Sequence, residues 1–261
     1  MSTAHALRDS LTMLRRDLRH QQRYPSMTIS IVIMPVLFLL LFVYVFGGAI
    51  GPGIGLSGPR ADYVNYVIPG ILLMAVATGT ISTAVAVCTD LTEGIVQRFR
   101  SMPVSPGSVV TGHVAGNMIQ VAFILVLIFG IAFATGFRPD ASPIEWLAAL
   151  GLLFLTAFGL SWLSAALGLR AKTPEAASNA PTPLTFLPFL GSAVVTPESM
   201  PSGLRWFAEH QPFTPITETL RGLLLGTPIG SDAYAALAWC LGLALVGYLW
   251  ARVTFARLTR S

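Results

Sequence analysis

Charge is scarce in this sequence and lysine is almost missing. Asp, Glu, Lys and Arg together make up 11% of the 261 residues, against about 25% in an ordinary soluble domain. A folded globule of this length needs a charged surface to stay dissolved, so the deficit excludes the one or two soluble domains that length alone would allow. The single lysine, Lys172, lacks the glycines of a phosphate-cradling loop, and no Walker sequence occurs. The two cysteines, Cys88 and Cys240, fall within or at the ends of apolar segments, a setting for packing rather than for a disulfide or a metal. The four histidines (His5, His20, His113, His210) lack metal-ligand spacing. Alternating strand patterns are absent too, which excludes a barrel.

What is present is apolar: 54% of the residues are hydrophobic and the mean hydropathy is +0.69. Reading from one charge to the next leaves six neutral stretches, Tyr24 to Pro59, Tyr63 to Thr89, Ser101 to Phe137, Trp146 to Leu169, Ala176 to Pro197 and Ala233 to Ala251. A spanning helix needs roughly 20 apolar residues, and lipid offers backbone amides no partner, so such segments must be helical. The expected fold is therefore an all-α membrane protein with six transmembrane helices, near 27–47, 64–88, 109–136, 146–169, 176–196 and 233–251. The first is expected to be a retained helix and not a cleaved signal peptide. No acidic or basic residue falls clearly inside a span, which disfavours a self-sufficient ion-coupled carrier. Such an interior suits hydrophobic or amphipathic cargo, or no cargo, and a pump built on it draws its fuel from another subunit.

The basic residues give an orientation. With six spans the loops alternate, and twelve of the 16 fall on the side of the termini: five in the amino-terminal segment, Arg98 and Arg100, Arg170 and Lys172, and Arg252, Arg257 and Arg260. The other side holds Arg60, Arg138, Arg205 and Arg221. Basic residues accumulate on the cytoplasmic side, so both termini are expected in the cytoplasm. The net charge of +4 is then a topology signal and no indication of nucleic acid.

Between the spans several segments have their own character. Residues 1–24 place Leu7, Leu11, Leu14 and Leu18 at helical spacing, with arginines on other faces, and are expected to lie flat on the inner leaflet. Gly53-Ile-Gly55-Leu-Ser57-Gly58 matches a dinucleotide-binding spacing, but no strand precedes it and Pro59 follows. Ser57 and His113 are the sole candidates for an intramembrane serine hydrolase, and they fall at opposite faces. Residues 91–102 form a short amphipathic helix with Leu91, Ile95, Phe99 and Met102 in one stripe and Glu93, Gln97 and Arg100 elsewhere. It either rests on lipid or docks into a partner's groove. Gly112 and Gly116 permit close helix contact. The segment 176–196 contains Pro181, Pro183 and Pro188, breaks that membrane proteins tolerate beside protein or a cavity. It is therefore the place to seek a substrate path, with Phe186 on it. The outer stretch 198–230 reads as short re-entrant helices: Thr214 and Pro215 as cap and first turn, Gly226 as stop, and Glu218 paired with Arg221.

Three of these stretches together resemble a known family. Thr89 to Pro106 (TDLTEGIVQRFRSMPVSP) with Thr111-Gly112-His113, Tyr66 to Ile71 (YVIPGI), and Gln211 to Gly222 (QPFTPITETLRG) resemble the membrane subunits of type-2 ABC exporters. The daunorubicin-resistance permease group is the nearest branch, and the resemblance covers nearly all of residues 1–261 as one permease domain. It implies a six-span subunit, paired with a second permease (homo- or heterodimer) and two copies of a separate ABC ATPase subunit. ATP and Mg would then sit on the partner ATPase, and no cofactor on this chain. It makes 91–102 the coupling helix, with Leu91, Glu93, Ile95, Arg98, Phe99, Arg100 and Met102 toward the ATPase. It makes Thr214, Pro215, Glu218 and Arg221 part of an outer gate. A bacterial plasma membrane is the implied location. A non-transporting scaffold and an intramembrane enzyme are the other classes that the residues leave open.

Overall fold

The computed structural model describes residues 25–46, 60–93 and 106–258, and the regular structure among them is helical throughout. In chain order these are α1 (Pro25–Leu40), continued by a π-helical turn Leu41–Phe46, α2 (Arg60–Thr92), α3 (Pro106–Ala134), α4 (Pro143–Gly168), α5 (Pro174–Asn179), α6 (Thr182–Phe186), 3-10 turns at Leu187–Leu190 and Pro197–Ser199, α7 (Ser202–His210), α8 (Phe213–Leu225) and α9 (Asp232–Leu258). Helix α4 illustrates how the sequence starts one. Ser142 and Glu145 form a reciprocal capping box, and Pro143 takes the first helical position, where its missing N–H costs nothing.

Among the described residues four helices carry stretches long and apolar enough to cross a membrane: Tyr63–Thr92, Val109–Ala134, Pro143–Gly168 and Asp232–Leu258. Val32–Phe46 is a shorter apolar helix. Helix α2 is the hub, 72% of its apolar window being buried against 17% for that of α9. Its 33 residues extend about 50 Å, well beyond a ~30 Å hydrocarbon core. The additional length takes in Asp90, beyond the neutral stretch that ends at Thr89.

Contacts fix the directions. His113 at the start of α3 meets Asp90 at the end of α2, and Arg138 beyond α3 donates its backbone N–H to Asn65 near the start of α2, so the two are antiparallel. Trp146 at the start of α4 packs on Phe129 and Phe133 near the end of α3. Helix α9 runs parallel to α4: Cys240 meets Thr156, and Gly247 meets Trp162 and Leu163. Phe38 of α1 and Phe42 of the π-helical turn stack on Phe189 at 5.2 and 5.7 Å.

The segment expected as a fifth span with proline breaks, 176–196, is a chain of short pieces. Ala177 clusters with Ala84 and Cys88 of α2, whereas Ala193 lies against Gly70. These contacts are 14 positions apart on α2, about 21 Å at 1.5 Å per residue. The segment thus runs about 21 Å along α2 without forming one helix, because prolines at 181, 183 and 188 each remove an amide donor.

Helices cannot be driven together by hydrophobicity inside lipid, so contact relies on small residues and hydrogen bonds. Gly168 meets the Ala84 backbone, Gly247 the backbone of Trp162 and Leu163, and Gly70 the body of Ala193, and none of the three has space for a Cβ. Cys88 and Cys240 are buried and unbridged, in keeping with a packing role. Residues 1–24, the glycine stretch 53–58 with Ser57, and 94–105 lie outside the described residues.

Candidate functional site

The prolines create a need for donors. Carbonyls of the broken segment that no helix amide reaches must be satisfied from elsewhere. Two side chains from the stretch that follows this segment donate to its carbonyls. Gln211, between α7 and α8, donates its Nε2 to Leu187 O at 3.1 Å. Arg221, in the middle of α8, donates Nη2 to Ser192 O at 2.7 Å. Tyr66 of α2 adds its hydroxyl to the same carbonyl at 3.2 Å.

Arg221 is the centre of this arrangement and only 8% exposed. Its Nε and Nη2 reach the Tyr66 carbonyl at 3.4 and 3.2 Å, Nη1 reaches Glu218 Oε1 at 2.6 Å, and the guanidinium lies 3.9 Å from the Tyr66 ring centroid. One planar cation therefore joins α2, the broken segment and α8, using the fork of donors that distinguishes arginine from lysine. The Glu218–Arg221 pair expected from three-residue spacing is present. The expected cap is displaced: α8 begins at Phe213, and the Thr214 hydroxyl instead donates to Ala208 O at 2.5 Å, fastening α8 to α7. Pro215 is buried in the first turn, and Gly226 ends the helix at φ 67°, in the left-handed region glycine favours.

Helix α7 exposes Leu204, Trp206 and Phe207, side chains suited to a headgroup interface. On it Arg205 pairs with Glu209 at 2.7 Å, a hydrogen bond that holds the guanidinium above its ordinary value. Of the residues expected along a substrate path, Pro181 and Pro188 are buried, whereas Pro183 and Phe186 are exposed; the four share no single face.

The other end of the bundle is polar in a way the neutral stretches concealed. His113, Asn117 and Gln120 fall one or two turns apart on one face of α3. His113 Nε2 lies 2.9 Å from Asp90 Oδ2, an acid buried near the end of α2. Asn117 donates to Ser161 Oγ of α4 at 2.7 Å, Ser82 of α2 donates to Gln120 at 3.0 Å, and Ser164 donates to Thr80 at 3.1 Å. This stripe joins α2, α3 and α4 by hydrogen bonds, each contributing about 0.6 kcal/mol in such settings. The i, i+4, i+7 spacing of His113, Asn117 and Gln120 was the available signal for it. The pairing of His113 with Asp90 gives it a partner unrelated to Ser57.

At the expected coupling helix the structure moves the boundary. Leu91 belongs to the last turn of α2, packed with the cluster of Val87, Trp162 and Phe255, and Glu93 follows as an exposed turn residue. Ile95, Arg98, Phe99, Arg100 and Met102 lie outside the described residues.

Comparison with known proteins gives a consistent picture. The profile of a family described as ABC-2 type transporter matches residues 9–225. A daunorubicin resistance ABC transporter permease protein of Streptomyces coeruleorubidus is 30% identical over 244 residues, 93% of this chain and 84% of that protein. A probable doxorubicin resistance ABC transporter permease protein of Mycobacterium tuberculosis is 21% identical over 180 residues, 69% of this chain and 65% of that protein.

Proposed function

The chain belongs to the ABC-2 type transporter family, and from that premise we propose that it is the membrane-spanning permease subunit of an ATP-driven exporter. It moves hydrophobic or amphipathic cargo outward, and it works with two copies of a separate ABC ATPase and a second permease. ATP and Mg belong to the ATPase; this chain is a transport subunit and not an enzyme. The match over residues 9–225 is the observation that carries this reading. The names of the relatives, which refer to daunorubicin and doxorubicin resistance, favour amphipathic drugs among the cargo. Their bacterial sources favour a bacterial plasma membrane.

In this reading the bilayer is crossed six times. The four long helices cross it, the shorter α1 with its π turn makes the first crossing, and the broken segment beside α2 makes the fifth. The directions of α2, α3, α4, the broken segment and α9 alternate as this requires, and the distribution of basic residues favours both termini in the cytoplasm. Transport follows from alternation between inward- and outward-facing arrangements, which an ATPase can bias only by binding them unequally. Helix α2 is the element suited to transmit that bias. Its inner end continues into the segment with Arg98, Phe99 and Arg100, and its outer end carries Tyr66.

Replacing Phe99 and Arg100 together by alanine is expected to lower recovery of the ATPase with the tagged chain about tenfold or more, as for a truncated interface anchor. Recovery unchanged from the parent would remove this segment from the ATPase contact.

A further inference from the structure

On the permease reading, the arrangement around Arg221 has a consequence for how the outer side opens. We propose that Arg221, Tyr66 and the Ser192 carbonyl form a latch that holds the outer end closed, and that opening toward the outside requires Arg221 to release Tyr66 and Ser192 while keeping Glu218.

Three features support the latch over a plain packing contact. First, the acceptors belong to separate elements. Tyr66 O is on α2, Ser192 O is on the broken segment, and Glu218 is on the same helix as Arg221, at 2.6 Å. Only the first two bonds cross between elements, so α8 can swing away without stranding its cation, which retains Glu218. Second, Glu218 is less buried than its partner, with a third of its side chain exposed against 9% for Arg221. The pair therefore has a route to water once the latch opens. Third, the closed arrangement is not fully satisfied. Ser192 Oγ and Gln211 Oε1 are buried with no hydrogen-bond partner among the described residues. Unmet polar atoms raise the energy of the state that buries them, which narrows the gap to an opened one.

Tyr66 is thus a positioning residue for transport. Its carbonyl and ring hold the guanidinium while its hydroxyl holds Ser192 O. Gly70, one turn further along α2, lets Ala193 approach so that these bonds can form.

The test uses the full chain with its ATPase in lipid nanodiscs, with Cys88→Ala and Cys240→Ala removing the native thiols and Ser192→Cys as reporter. The Ser192 side chain is fully buried. A membrane-impermeant maleimide is expected to label it slowly in the resting complex and rapidly when the ATPase is trapped with ATP and vanadate. Arg221→Lys, which keeps the charge but loses the fork, is expected to raise resting labelling roughly tenfold, the population shift that follows loss of a charge-assisted bond. Tyr66→Phe, which keeps the ring and removes one hydroxyl, is expected to raise it less. Labelling that trapping does not accelerate would overturn the latch even if the variants misfold. So would folded Arg221→Lys and Tyr66→Phe complexes that label like the parent. Failure of the chain to bind an ATPase is a separate result, which strikes the permease reading. Resting labelling of the variants, measured without ATPase, then still judges the latch.

Discussion

Leucine in place of Gly168 is expected to remove most of the folded protein from a detergent extract. A Cβ at Gly168 would overlap the carbonyl, Cα and carbonyl carbon of Ala84. All three are backbone atoms of the central helix, with no flexible side chain to yield. Overpacking of a side-chain contact costs about 1–3 kcal/mol, and here the remedy is to part α2 from α4. That separation opens the hydrogen bond from Ser164 to Thr80, and with it the cluster of Val87, Val110, Trp162 and Phe255. The loss should reach roughly 3 kcal/mol or more. Gly151→Leu is the control, since nothing lies within 4 Å of a Cβ there. The monodisperse fraction and the thermal midpoint in mild detergent report both. A Gly168→Leu protein as stable as the control would mean that α2 and α4 are not in backbone contact.

Arg221→Met carries the second large effect. Methionine fills much of the stem's volume but leaves the Tyr66 and Ser192 carbonyls without their cation, and it removes the stacking on the Tyr66 ring. A buried acceptor left unmet costs about 1–3 kcal/mol. Ser192 O retains the Tyr66 hydroxyl, and Glu218 can turn to water, so both losses are discounted. The net expectation is a destabilisation of about 3 kcal/mol, seen as a lowered midpoint. Arg221→Met combined with Glu218→Gln should recover little of it, because the carbonyls and not the carboxylate are the stranded partners. Recovery of most of the loss in the double variant would show the ion pair to be the main contribution.

Legibility in the sequence followed the physics of each segment. Where an uninterrupted apolar run exceeded the bilayer's thickness, as in 63–89 and 109–136, hydropathy was sufficient, because only a helix satisfies the backbone there. Its ends were less legible. Asp90 reads as a loop residue by charge, yet α2 carries it inside, because His113 one helix away supplies a partner at 2.9 Å. Such a partnership spans 23 positions and leaves no local periodic trace. The segment 176–196 was legible as broken but not as a ladder of short turns. Proline announces a lost donor, whereas the replacement donors, Gln211 and Arg221, come from beyond it in sequence. The Glu218–Arg221 pair was visible because it is local to one helix. Tyr66, its other partner, lies 155 positions away. The polar stripe was hidden by its composition, since serine, threonine, asparagine and glutamine carry no charge to break a neutral stretch.

The central claim is that this chain is a permease that an ATPase drives, and native mass spectrometry of the complex purified in mild detergent tests it most directly. The expected mass corresponds to two permease subunits, at least one of them this chain, with two ABC ATPase subunits, and it shifts when nucleotide and Mg are added. A particle containing this chain alone, or with partners none of which binds ATP, would contradict the claim.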